Sequence, residues 1–133
     1  MDQKIVAFQE ALDRFCQSRG FEWWKAVEVY RAQVYEVRRP TKVFMYVKQN
    51  ANRPRWWGIG KNIYAKLRSL KQPWSMVLLI GHGESGYALS STEVSAMISG
   101  LSYNDHDYIV KEKDATEGFP FSTFDAIFQH LLL

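Results

Sequence analysis

The sequence has a single cysteine, no long apolar run and almost no acidic residue in its middle third. Because Cys16 has no second thiol to pair with, an internal disulfide is excluded. The longest apolar runs, such as Met76–Ile80, are far too short to cross a bilayer. No charged segment followed by an apolar run opens the sequence, so we expect no secretory signal, no membrane partner and a cytoplasmic location.

The sequence also lacks the residues that several other functions require. The three histidines, His82, His106 and His130, have no cysteine partner, so a zinc site is not expected. The segment Gly81–Gly86 does not place a serine as a hydrolase elbow requires. What is present is the composition of a folded core, 47% hydrophobic and 15% aromatic, without a repeat or linker. We therefore expect one domain over residues 1–133.

Charge is distributed very unevenly along the chain. Between Arg31 and Lys71 there are eleven basic residues and one acid, Glu36, which is a formal charge of +10. From Gln72 onward there are two basic and eight acidic residues, a formal charge of −6. Segregation of this kind indicates a surface that binds a polyanion. Basic side chains that only solvate the outer faces of strands and of one helix would give the same pattern, so both interpretations stand at this point.

The apolar spacing predicts an α/β (α+β) fold, with a mixed central sheet flanked by helices. The predicted elements are a helix over Gln3–Ser18, strands over Ala26–Tyr30, Gln33–Val37 and Lys42–Lys48, a polar loop over Asn50–Gly60, a helix over Lys61–Leu70, a strand over Trp74–Ile80, a short strand over Tyr87–Leu89, a helix opened by Ser90–Glu93, a strand over Asp107–Val110 and a final helix capped by Ser122. The core order is thus α-β-β-β-α-β, with peripheral elements after it.

This order, and the strand Val43-Phe-Met-Tyr-Val-Lys48, resemble the PD-(D/E)XK or restriction-endonuclease-like nuclease family. The family carries an acidic residue, any residue and then a lysine on its third strand. Lys48 falls on the lysine, but Tyr46 stands where the family has the acid. The resemblance implies a nuclease fold that acts on DNA, in restriction, defence or mobile DNA, with an apparently degenerate catalytic motif.

An active member of this family would need Mg²⁺ held by carboxylates at adjacent strand ends. The catalytic candidates that the resemblance implies are Glu10, Glu36 and Lys48, and the metal candidates are Glu36 and Glu28. This set is one carboxylate short, because the neutral phenol of Tyr46 is a poor ligand for Mg²⁺. Binding without cleavage is therefore better supported than a Mg²⁺-dependent endonuclease, which stays the enzyme alternative.

A second segment, Trp57–Leu67, is weakly similar to the strand-to-helix part of GIY-YIG nucleases. The helix of that family supplies an arginine, and Lys66 aligns with it here. The preceding Gly-Ile-Tyr element is missing, and Met45–Val47 is a poor substitute.

Nucleic acid, with DNA favoured, is the expected partner. We expect the phosphate and base contacts from basic and aromatic residues of the middle third, with at least one tryptophan of the Trp56–Trp57 pair in the core; the contact candidates are Lys48, Arg53, Arg55, Trp56, Lys61, Lys66 and Arg68. The alternative of another class is a protein-interaction module, an inhibitor or adaptor that presents its basic face to an acidic protein. A homodimer is compatible with each of these hypotheses.

Overall fold

A computed structural model describes residues 3–25, 34–50, 56–81, 83–103 and 106–133, with side chains from residue 6 onward. The helices are α1 (Gln3–Arg19), α2 (Lys61–Arg68), α3 (Ser91–Ile98) and α4 (Phe124–Leu132). The strands are β1 (Glu22–Lys25), β2 (Val34–Arg39), β3 (Thr41–Asn50), β4 (Trp56–Gly60), β5 (Trp74–Ile80), β6 (Gly86–Ser90), β7 (Asp107–Lys111) and β8 (Phe119–Phe121). A short 3₁₀ helix over Glu112–Asp114 follows β7.

Six of these strands form one mixed sheet in the order β1-β2-β3-β5-β6-β8. Strands β1, β2 and β3 are joined antiparallel, and β5, β6 and β8 are joined antiparallel as well. The two groups meet in the parallel pair β3–β5, which runs from Phe44 opposite Trp74 to Asn50 opposite Ile80. The predicted mixed sheet flanked by helices is confirmed.

The sheet buries a separate apolar cluster on each face. On one face α1 and α4 pack through residues such as Phe8, Leu12 and Phe128 against the odd-numbered positions of β3. On the other face α2, α3 and the two-stranded sheet β4–β7 cover the even-numbered positions, with Trp57 and Leu67 at the centre. Because successive residues of a strand point to opposite faces, neighbours on β3 belong to different clusters.

Several local predictions agree with the structure. The strand over Trp74–Ile80 has the predicted bounds, and its central residues are buried on both faces, as parallel strands covered by helices are. The capping box of Ser90 and Glu93 is formed in both directions, with the two bonds at 2.8 and 3.2 Å. The predicted first helix ends at Arg19 rather than Ser18. Cys16 is buried in the apolar cluster that α1 shares with the sheet.

Two predictions are wrong. The end of the predicted loop, Trp56–Gly60, is strand β4, because Trp57 and Ile59 alternate into the core and β7 supplies the pairing partner. The final helix is capped by Thr123 rather than Ser122, since the Thr123 hydroxyl accepts the N–H of Ala126 at 3.1 Å. Strands β1 and β8 were not predicted from the sequence. The predicted strand Ala26–Tyr30 lies outside the described residues.

Among the helices of the described segments, none has the length and apolar character needed to cross a membrane.

The start of β6 gives a stability prediction. A Cβ atom on Gly86 would overlap the carbonyl oxygen of Leu78 and lie 2.9 Å from Cζ of Phe121, whereas a Cβ on Gly83 would meet open space. We expect Gly86→Ala to lower the free energy of unfolding by about 1–3 kcal/mol through overpacking. The matched variant Gly83→Ala should change it by less than about 0.5 kcal/mol. Urea unfolding of the two variants tests this, and equal midpoints would contradict it.

Candidate functional site

The carboxyl ends of the parallel strands β3 and β5 lie side by side. Asn50 is opposite Ile80, and the N–H of Gly81 donates to the carbonyl oxygen of Asn50 at 2.8 Å. In open α/β sheets, ligands bind outside the carboxyl ends of the strands. Tyr46 and Lys48 are two residues apart near this end of β3, so their side chains share one face of the sheet. The lysine of the expected motif is therefore at a strand end suited to ligand binding.

Tyr46 occupies the position where the resemblance expects an acid. Its side chain is 2% exposed, and its hydroxyl is hydrogen-bonded to the backbone of Gly60 at the end of β4. Burial raises the pKa of Tyr46 to about 12; the hydrogen bond to Gly60 opposes this rise, and the nearby Asp107 carboxylate adds to it. Tyr46 is therefore a neutral phenol at physiological pH. Hard divalent cations prefer charged carboxylate oxygens, which this residue does not offer.

Asp107 was not identified as a site residue from the sequence. It lies on β7 opposite Gly60, and a Cβ atom on Gly58 would come within 3.2 Å of its Oδ2 atom. The two glycines of β4 thus leave room for this carboxylate beside Tyr46. Two glycines inside a strand mark a close approach by another group, but this signal was hidden because Gly58 and Gly60 were predicted to lie in a loop.

Glu36 lies away from Lys48. It is opposite Phe44, four residues before Lys48 on β3, so the two side chains are roughly 13 Å apart along the strand. Glu36 is 3% exposed, and its Oε2 atom is 3.6 Å from Arg38 and 3.8 Å from Lys42. Two cations near the β2–β3 turn therefore neutralise this buried carboxylate.

Glu10 is on the other side of the sheet. It is an exposed residue of α1, the helix that packs on the face opposite Glu36 and Lys48. The structure therefore does not bring Glu10, Glu36 and Lys48 together. Glu28 lies outside the described residues. Across the described part of the chain, no group of three or more acidic, histidine or cysteine side chains is arranged to hold a metal ion.

The Trp56–Trp57 pair is divided between surface and core, as predicted. Trp57 is 1% exposed, and its indole N–H donates to the carbonyl oxygen of Leu79 at 3.0 Å. Trp56 is 43% exposed and lies opposite Lys111 on β7. Trp56 is thus accessible for contact with a ligand. The neighbouring candidates Arg53 and Arg55 lie outside the described residues.

Helix α2 carries three of the predicted cationic contacts. Tyr64 and Leu67 anchor the helix in the core. Lys61 and Arg68 flank the buried stripe on one side, while Lys66 is exposed about 140° around the helix from Lys61. The charged side chains of α2 therefore face solvent in two directions.

Replacing Tyr46 gives a pH-dependent prediction. The pKa of Tyr46 is raised from 10.0 to about 12, so the stability that depends on its neutral form is fully present below pH 10 and is lost as the pH rises through 12. Tyr46→Phe should cost about 1 kcal/mol near neutral pH, because it removes a buried hydrogen bond. Above pH 10 this deficit should shrink and then reverse, because the stability that the wild type loses in full, about 2–3 kcal/mol, is larger than the deficit.

Urea unfolding between pH 8 and 11 measures the difference, with Tyr103→Phe as the exposed-tyrosine control. Burial also raises the pKa of Cys16 and of Tyr35, but both groups are present in each protein and cancel in the comparison. A constant difference between wild type and Tyr46→Phe over this pH range would contradict the prediction.

Comparison with known proteins agrees with this architecture. No protein-family model and no curated protein sequence matches the chain. Among solved structures it is similar to Hjc, a Holliday junction resolvase from the archaeal hyperthermophile Archaeoglobus fulgidus. The TM-score is 0.54 and the sequence identity 12%, over 86% of this chain and 88% of the resolvase chain. This similarity confirms the fold that the first resemblance implies. The chain has the restriction-endonuclease-like, PD-(D/E)XK nuclease fold.

Proposed function

We propose that this protein binds DNA through the basic surface of its middle third, and that its catalytic strand is degenerate, so that it binds without cleaving. The main support for DNA binding is the burial of Glu36. This residue is the only acid between Arg31 and Lys71, and it is 3% exposed and paired with Arg38 and Lys42. The surface formed by the described residues of this segment therefore presents positive charge alone.

The cations that remain available lie on several elements. Lys66, Arg68 and Lys71 are exposed, and Lys48 and Lys61 are half-buried. A concentration of cations attracts phosphates and releases counterions from DNA when it binds. The similarity to a Holliday junction resolvase, which acts on a DNA junction, supports DNA as the polyanion.

The second part of the proposal, the absence of cleavage, follows from the chemistry of the third strand. The nuclease family requires Mg²⁺ to position water and to neutralise the charge that develops on the phosphate. The residues described at this position do not fit Mg²⁺. Tyr46 is a buried neutral phenol, Glu36 is roughly 13 Å from Lys48 along the strand, and the described residues do not add enough further carboxylates to Asp107 to form a group of three. Without a metal ion, Lys48 still provides a cation at this strand end for contact with a phosphate.

The test is a fluorescence-anisotropy titration with labelled single- and double-stranded DNA at several salt concentrations, with and without Mg²⁺. We expect affinity to fall steeply as salt rises. The double variant Lys66→Gln/Arg68→Gln should weaken binding and reduce the salt slope by about one for each lost phosphate contact.

The matched control is Arg14→Gln/Lys25→Gln, which removes the same two charge types from exposed positions on the α1 side of the sheet. This control should keep the wild-type salt slope. Equal losses in the two double variants would contradict the assignment of the contact surface.

The same titration tests the alternatives. Cleavage of the probe only when Mg²⁺ is present would contradict the degenerate strand and favour the endonuclease. An absence of binding to every probe at low salt would overturn the proposal and favour an acidic protein partner. A role in restriction, defence or mobile DNA is part of the same proposal and rests on the family resemblance.

A further inference from the structure

A groove lies between α2, α3 and the segment that leads into β7. Its volume is about 430 Å³, within the usual range for small-ligand pockets, and its walls include Tyr64, Ser95, Tyr103 and Tyr108. The Tyr64 hydroxyl donates to Oγ of Ser95 at 3.0 Å and so links α2 to α3 behind the groove. We refer to this feature as the tyrosine groove.

The three tyrosine rings form a continuous series. Tyr64 and Tyr108 meet edge to face with their centroids 5.9 Å apart, and Tyr108 and Tyr103 do so at 6.1 Å. Tyr103 and Tyr108 are also joined by a backbone bridge, which ties the main chain of the outer residue to β7. The inner ring is buried, but Tyr103 is 66% exposed. The series therefore ends in a residue whose backbone is paired and whose side chain is largely exposed, with Lys61 beside its ring.

Two cations accompany the rings. The Nζ atom of Lys61 is 3.7 Å from the ring centroid of Tyr103 and 6.0 Å from that of Tyr108. The guanidinium carbon of Arg68 is 5.4 Å from the ring centroid of Tyr64, and Arg68 also lines the groove. Asp107 precedes Tyr108 on β7 and contacts Gly58, so its carboxylate belongs to the opposite side of that strand. Positive charge therefore dominates at the described part of this site.

We propose that the tyrosine groove binds an unpaired base of single-stranded DNA, with Tyr103 as the stacking surface and Lys61 and Arg68 on the flanking phosphates. Aromatic rings beside cations are the means by which proteins bind single strands, because every base has a π-face and every nucleotide a phosphate. A base within a duplex is stacked on both sides and cannot reach such a ring. The inference rests on the proposed DNA binding and adds the substrate class, DNA with unpaired bases.

The first test compares an oligo-dT strand with a blunt duplex of equal length by fluorescence anisotropy. Tyr103→Ala should weaken binding of the single strand about tenfold, which is within the usual effect of removing one stacked base contact. It should leave duplex binding unchanged. Tyr103→Phe keeps the ring and should bind the single strand as the wild type does.

The matched control is Phe119→Ala. Phe119 is another exposed aromatic residue, 38% exposed and stacked on His130 at 4.0 Å, and it is on strand β8 at the far edge of the sheet. Its removal should change binding of neither probe. An equal loss in Phe119→Ala and Tyr103→Ala would contradict a specific role for the groove.

The second test does not depend on a variant. A single strand containing 5-iodouracil is irradiated in complex with the wild-type protein, and the crosslinked residue is mapped by mass spectrometry. A crosslink to Tyr103 or Tyr108 supports the proposal, whereas crosslinks confined to other residues, such as the exposed Trp56, would overturn it.

The outcomes separate this inference from the proposed function. Salt-sensitive binding to the duplex, together with single-strand binding by Tyr103→Ala equal to that of the wild type, rejects the groove alone. A lack of binding to both probes at low salt rejects DNA binding and the groove with it.

Discussion

The parallel pairing of β3 with β5 positions most of the other features of this protein. Both strands are buried on both faces, so each needs a layer of structure on either side. A parallel pair also requires a crossover between its strands, and the crossover here consists of β4 and α2. That connection covers one face of the sheet with Trp57 and Leu67, while α1 and α4 cover the other. It also places Lys61, Lys66 and Arg68 on the outside of a helix whose inner stripe is part of the core.

The crossover also determines the surroundings of Tyr46 on β3. Strand β4 lies against β3, so the backbone of Gly60 is hydrogen-bonded to the hydroxyl of Tyr46, a residue that is 2% exposed. A carboxylate enclosed there without a cation would carry a large desolvation cost, whereas a protonated phenol can be buried once it is hydrogen-bonded. The nuclease scaffold is thus compatible with a neutral residue where the family holds an acid. Lys48, two residues further along, lies near the strand end with part of its side chain exposed.

The arrangement of helices on the sheet also determines which charged side chains reach the surface. Glu36 is the one acid among the basic residues in sequence, yet its side chain is buried 3.6 Å from Arg38 and 3.8 Å from Lys42 and adds nothing negative to the surface. Helix α2 has cations on both sides of its buried stripe. On one side they lie against Tyr64 and Tyr103, so the basic surface and the aromatic groove are adjacent. The proposed phosphate and base contacts would therefore come from a single helix and its neighbours.

The sequence by itself determined the features that depend on near neighbours along the chain. The apolar run of β5, the spacing of α1 and the capping box of Ser90 and Glu93 each involve residues within a few positions of one another. Tertiary structure decided the rest. Trp56–Gly60 is a strand because it pairs with β7. That partner lies some fifty residues later, so local composition contains no information about the pairing. The separation of Glu36 from Lys48 follows from the β2–β3 register, which a one-residue shift would change. The tyrosine groove joins residue 64 to residues 103 and 108, which only the packing of α2 against β7 brings together.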